Sequence, residues 1–414
     1  MHSENQSLGE LFLELRSLRN SHSNRIFGDG LGHAIREILS RRGLQADDAQ
    51  IAATIRLINS AESGVYFLPP VIQAAVGQLL DGRSADFVLD PWAGRGELAE
   101  LAKSATGAKK TEALVIEQEM ADLGRLFKPS LTWVVGDPLL RIREIDQPLN
   151  VVVSVLPRGV RDNIQSPLIG IDGQPVRLRG DYAERLMIES AQKLLDDGVA
   201  LFVVDNAFFY RTRSAFQHLD KFGLFVHAAF ALPLRTFTPS VGLSAEYLIV
   251  IRKDRPSKLF VAQLTDEEDS NRPALRNFLK HKAGGELQFG RYVENDAFEG
   301  IEKIYLEERV KKFARKIGRD SVPLSQLTKG FIRGRRDRSF ESLGNEVFIP
   351  VVGTRCKALI LQSDMEIRPE HYMQVALDPE KVSAEYVARY LNSDFGFELR
   401  AMSTTSVSVR PSPS

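Results

Sequence analysis

The chain has 414 residues, 43% of them hydrophobic and 26% charged, with 54 Lys and Arg balanced by 54 Asp and Glu. That composition excludes a disordered chain and a histone-like polycation, and it predicts two or three globular domains. A single cysteine, Cys356, excludes an internal disulfide framework and a cysteine-based zinc cluster. No apolar run approaches the roughly eighteen residues a membrane span needs. The amino-terminal MHSENQSLGELF is too polar for a signal peptide. The expected setting is the cytoplasm, with no membrane and no required metal.

Residues 1–62 predict a helical region. Leu8, Leu11, Leu15 and Leu18, then Ile35, Ile38 and Leu39, then Ile51, Ile55 and Ile58 recur near helical spacing. Gly28, Gly30, Gly32 and Gly43 are expected to separate the helices. From 63 to 256 short apolar runs alternate with helical segments. The runs at 87–89, 113–116, 132–135, 151–153, 200–204, 226–232 and 247–251 are continuous, as strands buried on both faces tend to be. Helices are expected at 70–80, 97–104 and 182–195. Alternation of this kind predicts an α/β domain with a mostly parallel, doubly wound sheet. Residues 257–318 predict a linker, polar and acidic at 265–274 (TDEEDSNRPA), followed by a basic connector helix at 301–318. From 319 to 414 the style is mixed α+β, with β-like runs at 347–352 and 359–361 and a helix at 384–391. Between Glu302 and Arg338 there are twelve Lys or Arg against five Asp or Glu, a local excess of seven positive charges.

The chemistry concentrates at Phe87-Val-Leu-Asp90-Pro91-Trp92-Ala93-Gly94-Arg95-Gly96-Glu97-Leu98. A strand ends in an acid, a Gly-x-Gly loop follows, and a helix begins. Glycine takes the positive φ of a tight turn, and without a Cβ it lets a ligand touch backbone. The loop therefore suits a nucleotide-like ligand at a strand's carboxyl end. Neither the third glycine of a dinucleotide fingerprint nor the Gly-Lys-Ser/Thr of a phosphate loop is present. Glu117 ends the next run, where a carboxylate can accept both hydroxyls of a ribose, or can simply be a solvated strand-end acid. Asp137, in Val134-Val-Gly-Asp-Pro138, is placed to hold an adenine amino group or to form a turn. Upstream, Gly64-Val-Tyr66-Phe67-Leu68-Pro69-Pro70 opens a helix.

Taken together these segments resemble the N6-adenine DNA methyltransferase family, in particular the modification subunits of type I restriction–modification systems, over roughly residues 60–310. The resemblance implies a Rossmann-like S-adenosylmethionine-dependent methyltransferase core, with S-adenosyl-L-methionine as cofactor. It implies a cofactor pocket made by Tyr66, Pro69, Asp90, Pro91, Gly94 and Gly96, with Glu117 as the ribose acid and Asp137 nearby. The family's catalytic Asn/Asp-Pro-Pro-Phe/Tyr falls at Val155-Leu156-Pro157-Arg158 here. In that motif the Asn oxygen and a proline carbonyl accept the hydrogens of the adenine amine, while the aromatic residue stacks on the flipped base. Valine offers no acceptor, and arginine would set a positive charge near a sulfonium. Ser154 is expected to face the opposite side of the strand, and Asn150 to lie at its wrong end.

Residues 321–409 resemble the beginning of the target-recognition domain of type I specificity subunits. The segments that carry this are Val322-Pro-Leu-Ser-Gln-Leu327, Gly330-Phe-Ile-Arg-Gly334 and Phe348-Ile-Pro-Val-Val-Gly353, with Glu385-Tyr-Val-Ala-Arg-Tyr-Leu-Asn-Ser393 behind them. Such domains continue further, so an early end to the chain is expected. Lys329, Arg333, Arg335, Arg336 and Arg338 fit a phosphate-contacting DNA-binding loop, or a solvated one. Arg309, Lys312 and Lys316 share one face of the connector helix. Trp92 and Trp133 are expected in the core. The expected partners are double-stranded DNA and a specificity or restriction subunit. Two functions stay open: a DNA adenine-N6 methyltransferase with a degenerate motif, and an inactive DNA-binding scaffold that keeps the fold.

Overall fold

A computed structural model describes residues 29–41, 43, 45, 68–158, 160, 167–178, 182–210, 214–234, 236–237, 245–295, 298–317, 322–336, 339–351, 356–360 and 367–402. The expectations for Leu8 to Leu18, for Ile51 to Ile58, for the tail after residue 402, and for Tyr66, Gly159 and Arg338 lie outside the described residues. The chain divides into two compact units, Met1–Phe298 and Glu299–Ser414.

The first unit contains, in chain order, α1 (Asp29–Arg41), α2 (Pro70–Leu80), β1 (Phe87–Asp90), α3 (Glu97–Thr106), β2 (Lys110–Val115), α4 (Gln118–Phe127), β3 (Thr132–Val135), α5 (Pro138–Glu144) and β4 (Leu149–Val155). A small hairpin, β5 (Leu168–Ile169) and β6 (Pro175–Val176), precedes α6 (Tyr182–Gln192) and β7 (Leu194–Asp205). Then come α7 (Ala207–Tyr210), β8 (Phe225–Ala231), β9 (Glu246–Arg252), β10 (Leu259–Gln263), α8 (Glu268–Leu279) and β11 (Arg291–Val293). Nine strands form one mixed sheet in the order β11-β10-β8-β9-β7-β4-β1-β2-β3. β3, β2, β1, β4 and β7 run parallel, and β9 is inserted antiparallel between β7 and β8.

Successive residues of β1 and β9 are buried, as are Val151 to Ser154 of β4, so both faces of the sheet are covered. One face carries α2, α3 and α8, whose Ile72, Ala75, Leu98, Ala102, Ala274 and Leu275 pack on strand residues such as Val88, Val151 and Leu201. Strand order reverses between β1 and β4. Open α/β sheets bind ligands in the crevice beyond the carboxyl ends of strands at such a point.

Three expectations are corrected. Gly30 and Gly32 lie inside α1, whose Ile35, Ile38 and Leu39 are buried, so they do not break that helix. The acidic stretch at 265–274 is not a loop. It enters α8 with Pro273 inside the helix. There Asn271 exchanges hydrogen bonds of 2.8 Å with both backbone groups of Thr265, and Ala274 and Leu275 are buried. That tertiary anchoring outweighs the roughly 3 kcal/mol proline penalty. Finally, β10 and β11 extend the central sheet, so residues 257–298 belong to the first unit rather than to a linker.

The second unit is mixed α+β. It contains α9 (Ile301–Ile317), α10 (Leu324–Leu327), β12 (Thr328–Arg333), β13 (Glu346–Pro350), β14 (Tyr372–Leu377), α11 (Ala384–Leu391) and α12 (Asp394–Met402). The three strands are antiparallel in the order β12-β14-β13. Val347, Val375 and Leu377 pack with Ala384, Val387, Ala388 and Leu391 of α11 into a separate core. Ser383 caps α11 by accepting from the backbone N–H of Tyr386 at 3.2 Å.

Candidate functional site

Asp90, at the carboxyl end of β1, is 1% exposed. Its Oδ1 accepts from the Ser154 hydroxyl at 2.9 Å and from the Trp92 N–H at 3.1 Å. Burial pushes this carboxyl up to about 7, against the two hydrogen bonds that favour its charged form. Ser154 is thus a member of the site. It lies on the face of β4 opposite Val151, Val153 and Val155, as expected, and from there its hydroxyl reaches Asp90 at the strand end. Asn150 lies at the other end of β4, and its Oδ1 accepts from the N–H groups of Asp86 and Phe87 at 2.9 and 3.0 Å.

The two loop glycines separate in role. Both have positive φ, +51° at Gly94 and +73° at Gly96. A Cβ on Gly94 would meet nothing within 4 Å, so its backbone faces open space that a ligand could approach. A Cβ on Gly96 would lie 2.7 Å from the Trp133 ring and 2.9 Å from Leu131. Gly96 is therefore also required by packing, because Trp133, 6% exposed, lies beneath the loop. Glu97 anchors the loop from the other side: it pairs with Arg95 and accepts from the Leu68 N–H at 2.8 Å. Pro69 and Pro91 are buried. The Pro69 carbonyl accepts from Ile72 and Gln73 at the start of α2.

The loops after β1, β2 and β3 lie in a row. The Ala93 N–H donates to the Leu114 carbonyl at 3.0 Å, and the Gly136 N–H to the Val115 carbonyl at 3.0 Å. Adjacent strands stand about 4.8 Å apart, so the row spans roughly 10 Å, the scale of a nucleoside. Glu117 is exposed just after β2, and its carboxylate makes no side-chain hydrogen bond or ion pair. Asp137 is exposed after β3. Its Oδ1 caps α5 by accepting from the Leu139 N–H at 2.9 Å and also accepts from the Tyr182 hydroxyl at 3.1 Å. Tyr182 stands edge-on to Trp92, centroids 6.0 Å apart. Trp92 is half-buried, less enclosed than the core placement expected of it.

The end of β4 is filled. Val155 is half-buried, while Leu156 and Pro157 are buried. Arg158 forms an ion pair with Glu246 and lies 5.1 Å over the ring of Phe237. Glu246 is 4% exposed and begins β9 directly opposite Asp205 of β7. Burial raises the Glu246 carboxyl despite Arg158, and Asp205 raises it further. Tyr182, Phe237 and Glu246 escaped the sequence reading, as did the link from Ser154 to Asp90, since each acts only through a partner far away in the chain.

In the second unit Lys329, Arg333, Arg335 and Arg336 are exposed on β12 and the turn after it. Lys329 lies 3.5 Å from Asp378. On α9, Arg309 is paired with Glu398 of α12 at 3.2 Å, so it serves packing within this unit. Among the described residues no His/Cys/Asp/Glu group could hold a metal ion, and no helix is long and apolar enough to cross a membrane.

No protein-family model matches the chain, and no curated protein matches it. Solved structures do. A type I restriction–modification methyltransferase subunit from Streptococcus thermophilus is 11% identical, covering 73% of this chain and 75% of its own, with a TM-score of 0.47. A modification subunit of a type I restriction enzyme from Vibrio vulnificus is 13% identical, with 74% of this chain covered and a TM-score of 0.42. This chain spans 63% of that subunit's length. A class I S-adenosylmethionine-dependent methyltransferase from Listeria monocytogenes is 15% identical, with 65% and 88% covered and a TM-score of 0.45. At these identities and TM-scores the likenesses carry no functional argument, and the chemistry rests on the residues of the site.

Proposed function

We propose that this chain is an S-adenosylmethionine-binding protein of the N6-adenine DNA methyltransferase type whose methyl-transfer position is closed. It acts on double-stranded DNA in the cytoplasm, within a restriction–modification or related defence system, beside a specificity or restriction subunit. The observation that carries the proposal is a contrast between neighbouring strand ends. Gly94, Glu117 and Asp137 leave an open row at the ends of β1 to β3, while Arg158, Glu246 and Phe237 fill the end of β4.

The row fits the cofactor. Glu117 would accept the two ribose hydroxyls, Asp137 would face the adenine amine, and the backbone at Gly94 would lie against the ligand. When bound, the cofactor supplies a methyl group on a sulfonium. The chain's own residues do little to use it. Val155 has no acceptor for an adenine amine, and the Ser154 hydroxyl is committed to Asp90. Arg158 takes the place of the base-stacking aromatic, and its charge is held by a buried carboxylate. Losing one positioned acceptor of this kind costs several kcal/mol of barrier. The exposed Lys329, Arg333, Arg335 and Arg336 support phosphate contact by the second unit.

Calorimetric titration of S-adenosylmethionine into the purified chain and its Glu117→Ala variant tests the first half. Saturable binding that weakens at least tenfold in the variant is expected; absence of binding would overturn the proposal. Transfer of labelled methyl to unmethylated DNA tests the second half. No incorporation is expected, and incorporation at adenine that Glu117→Ala abolishes would refute the closed site.

A further inference from the structure

At the opposite end of the central sheet from Asp90 lies a second cavity, of about 270 Å³. Its floor is Val199, Leu201 and Val250 of β7 and β9, and its walls are Leu79 of α2 and Phe278 and Leu279 at the end of α8. Leu79 and the three valine and leucine floor residues are each 4% exposed or less. An all-apolar recess of this kind would be unremarkable. This one also has Arg83, Arg252 and His281 in its lining.

Carboxylates meet the two arginines unevenly: Arg252 is ion-paired with Asp254, while among the described residues Arg83 makes no ion pair within hydrogen-bond distance. Arg83 donates to the backbone carbonyl of Asp197 at 3.4 Å, not to a carboxylate. Arg252 Nε is 3.3 Å from Asp254 Oδ1, but it is buried and makes no hydrogen bond. Asp254 is itself more than half exposed and is also 3.5 Å from His227 Nε2. Burial and the neighbouring Arg252 hold the Arg83 guanidinium below its usual range, and Asp197 and Asp254 offset this only in part. Arg83 and Arg252 line one apolar cavity, and the Arg252 charge lowers Arg83, so a further anion there would be favoured by both.

A third observation is independent of charge. His281 ends the turn after α8 with φ +53°, the one non-glycine positive φ among the described residues. Its N–H donates to the Phe278 carbonyl at 3.0 Å in a left-handed helix end, where glycine would be free of strain. A histidine there costs about 1 kcal/mol, and His281 is part of the cavity lining. Strain of this sort gathers where a side chain has work to do.

We propose that this cavity binds a small organic anion, its carboxylate or phosphate head between Arg83 and Arg252 and its short apolar body on the floor of β7 and β9. At about 270 Å³ the cavity exceeds the space of a single water many times over and is of a size for a short carboxylate or phosphate ester. Arginine supplies the planar donor pairs that such heads accept. The assignment is independent of the cofactor row, which lies at the other end of the same strands.

Octanoate is the probe, titrated into the full chain by calorimetry, with octanol as its neutral match, octyl phosphate as the alternative head and inorganic phosphate as a head without a body. Octanoate or octyl phosphate should bind saturably, and octanol and inorganic phosphate at least tenfold more weakly. The stronger of the two anions identifies the head. Arg83→Met should weaken binding at least tenfold. Leu279→Trp, which fills the half-exposed mouth without touching the arginines, should weaken it similarly while circular dichroism stays unchanged. Equal binding of octanol, equal binding by both variants, or no binding of either anion would each overturn the proposal.

Discussion

Replacing Asp90 by Asn isolates the cost of keeping a carboxylate buried at the end of β1, beside the row proposed for the cofactor. Asn keeps the Oδ1 that accepts from Ser154 and Trp92, and its amide resembles the protonated acid in shape and charge. The folded carboxyl titrates at about 7 against 3.8 for the free side chain. A folded pKa raised above the unfolded one means the native state binds the extra proton. Asp90 therefore contributes its full stability below pH 4 and loses it as pH rises to about 7. Two pH units separate 5 from 7, each worth about 1.4 kcal/mol, so the Asn variant should gain roughly 3 kcal/mol on wild type between pH 5 and pH 8. The surplus amide hydrogen adds a constant penalty of about 1–3 kcal/mol at both pH values, so only the change between them is diagnostic. Urea unfolding of both proteins at pH 5 and pH 8 reads the difference. As a melting temperature it amounts to roughly 5 °C for the unit Met1–Phe298. A wild-type-to-variant gap that does not move with pH would refute the account of Asp90 as a costly buried charge.

The loop glycines should respond unequally in the same assay: about 1 kcal/mol of strain for Gly94→Ala, and about 3 kcal/mol or more for Gly96→Ala, which adds the clash with Trp133 and Leu131. Arg158→Ala strands the Glu246 charge and should cost about 3 kcal/mol at pH 8, less at pH 5, where more of that carboxyl is protonated. Adding Glu246→Gln should recover most of the loss, and the double-mutant cycle measures the coupling. The cycle also bears on any attempt to rebuild the catalytic motif, since Arg158→Phe with Val155→Asn and Leu156→Pro needs Glu246→Gln to avoid the same orphaned charge. Lys329→Ala with Arg333→Ala should leave stability within about 0.5 kcal/mol. It should lower the slope of log affinity for duplex DNA against log salt by about 0.9 for each lost phosphate contact; an unchanged slope would remove β12 from the DNA interface.

Elements whose signal is local were legible in the amino-acid sequence. The helices at Pro70–Leu80 and Ala384–Leu391 and the strand at Thr132–Val135 fall where apolar period and capping residues put them. The Gly-x-Gly loop between β1 and α3 was legible too, because an acid, two glycines and a helix start are contiguous. What local pattern could not supply were pairings across the chain. Asp90 and Ser154 stand 64 residues apart, and their hydrogen bond depends on β1 and β4 being sheet neighbours. Arg158 finds Glu246 because β9 enters antiparallel beside β7.

The sequence by itself determined the α/β class, the order of the parallel strands' candidates and the placement of Asp90, Glu117 and Asp137 after three strands, since each is a property of neighbouring residues. Only the tertiary structure decided that Gly94 faces open space while Gly96 rests on Trp133, that Pro273 lies within a helix, that Arg158 pairs with Glu246 at the end of β4, and that Arg83 and Arg252 line the same apolar cavity. The physical reason is the same in each case: burial, charge pairing and steric contact depend on which segments become neighbours, and strand order sets that.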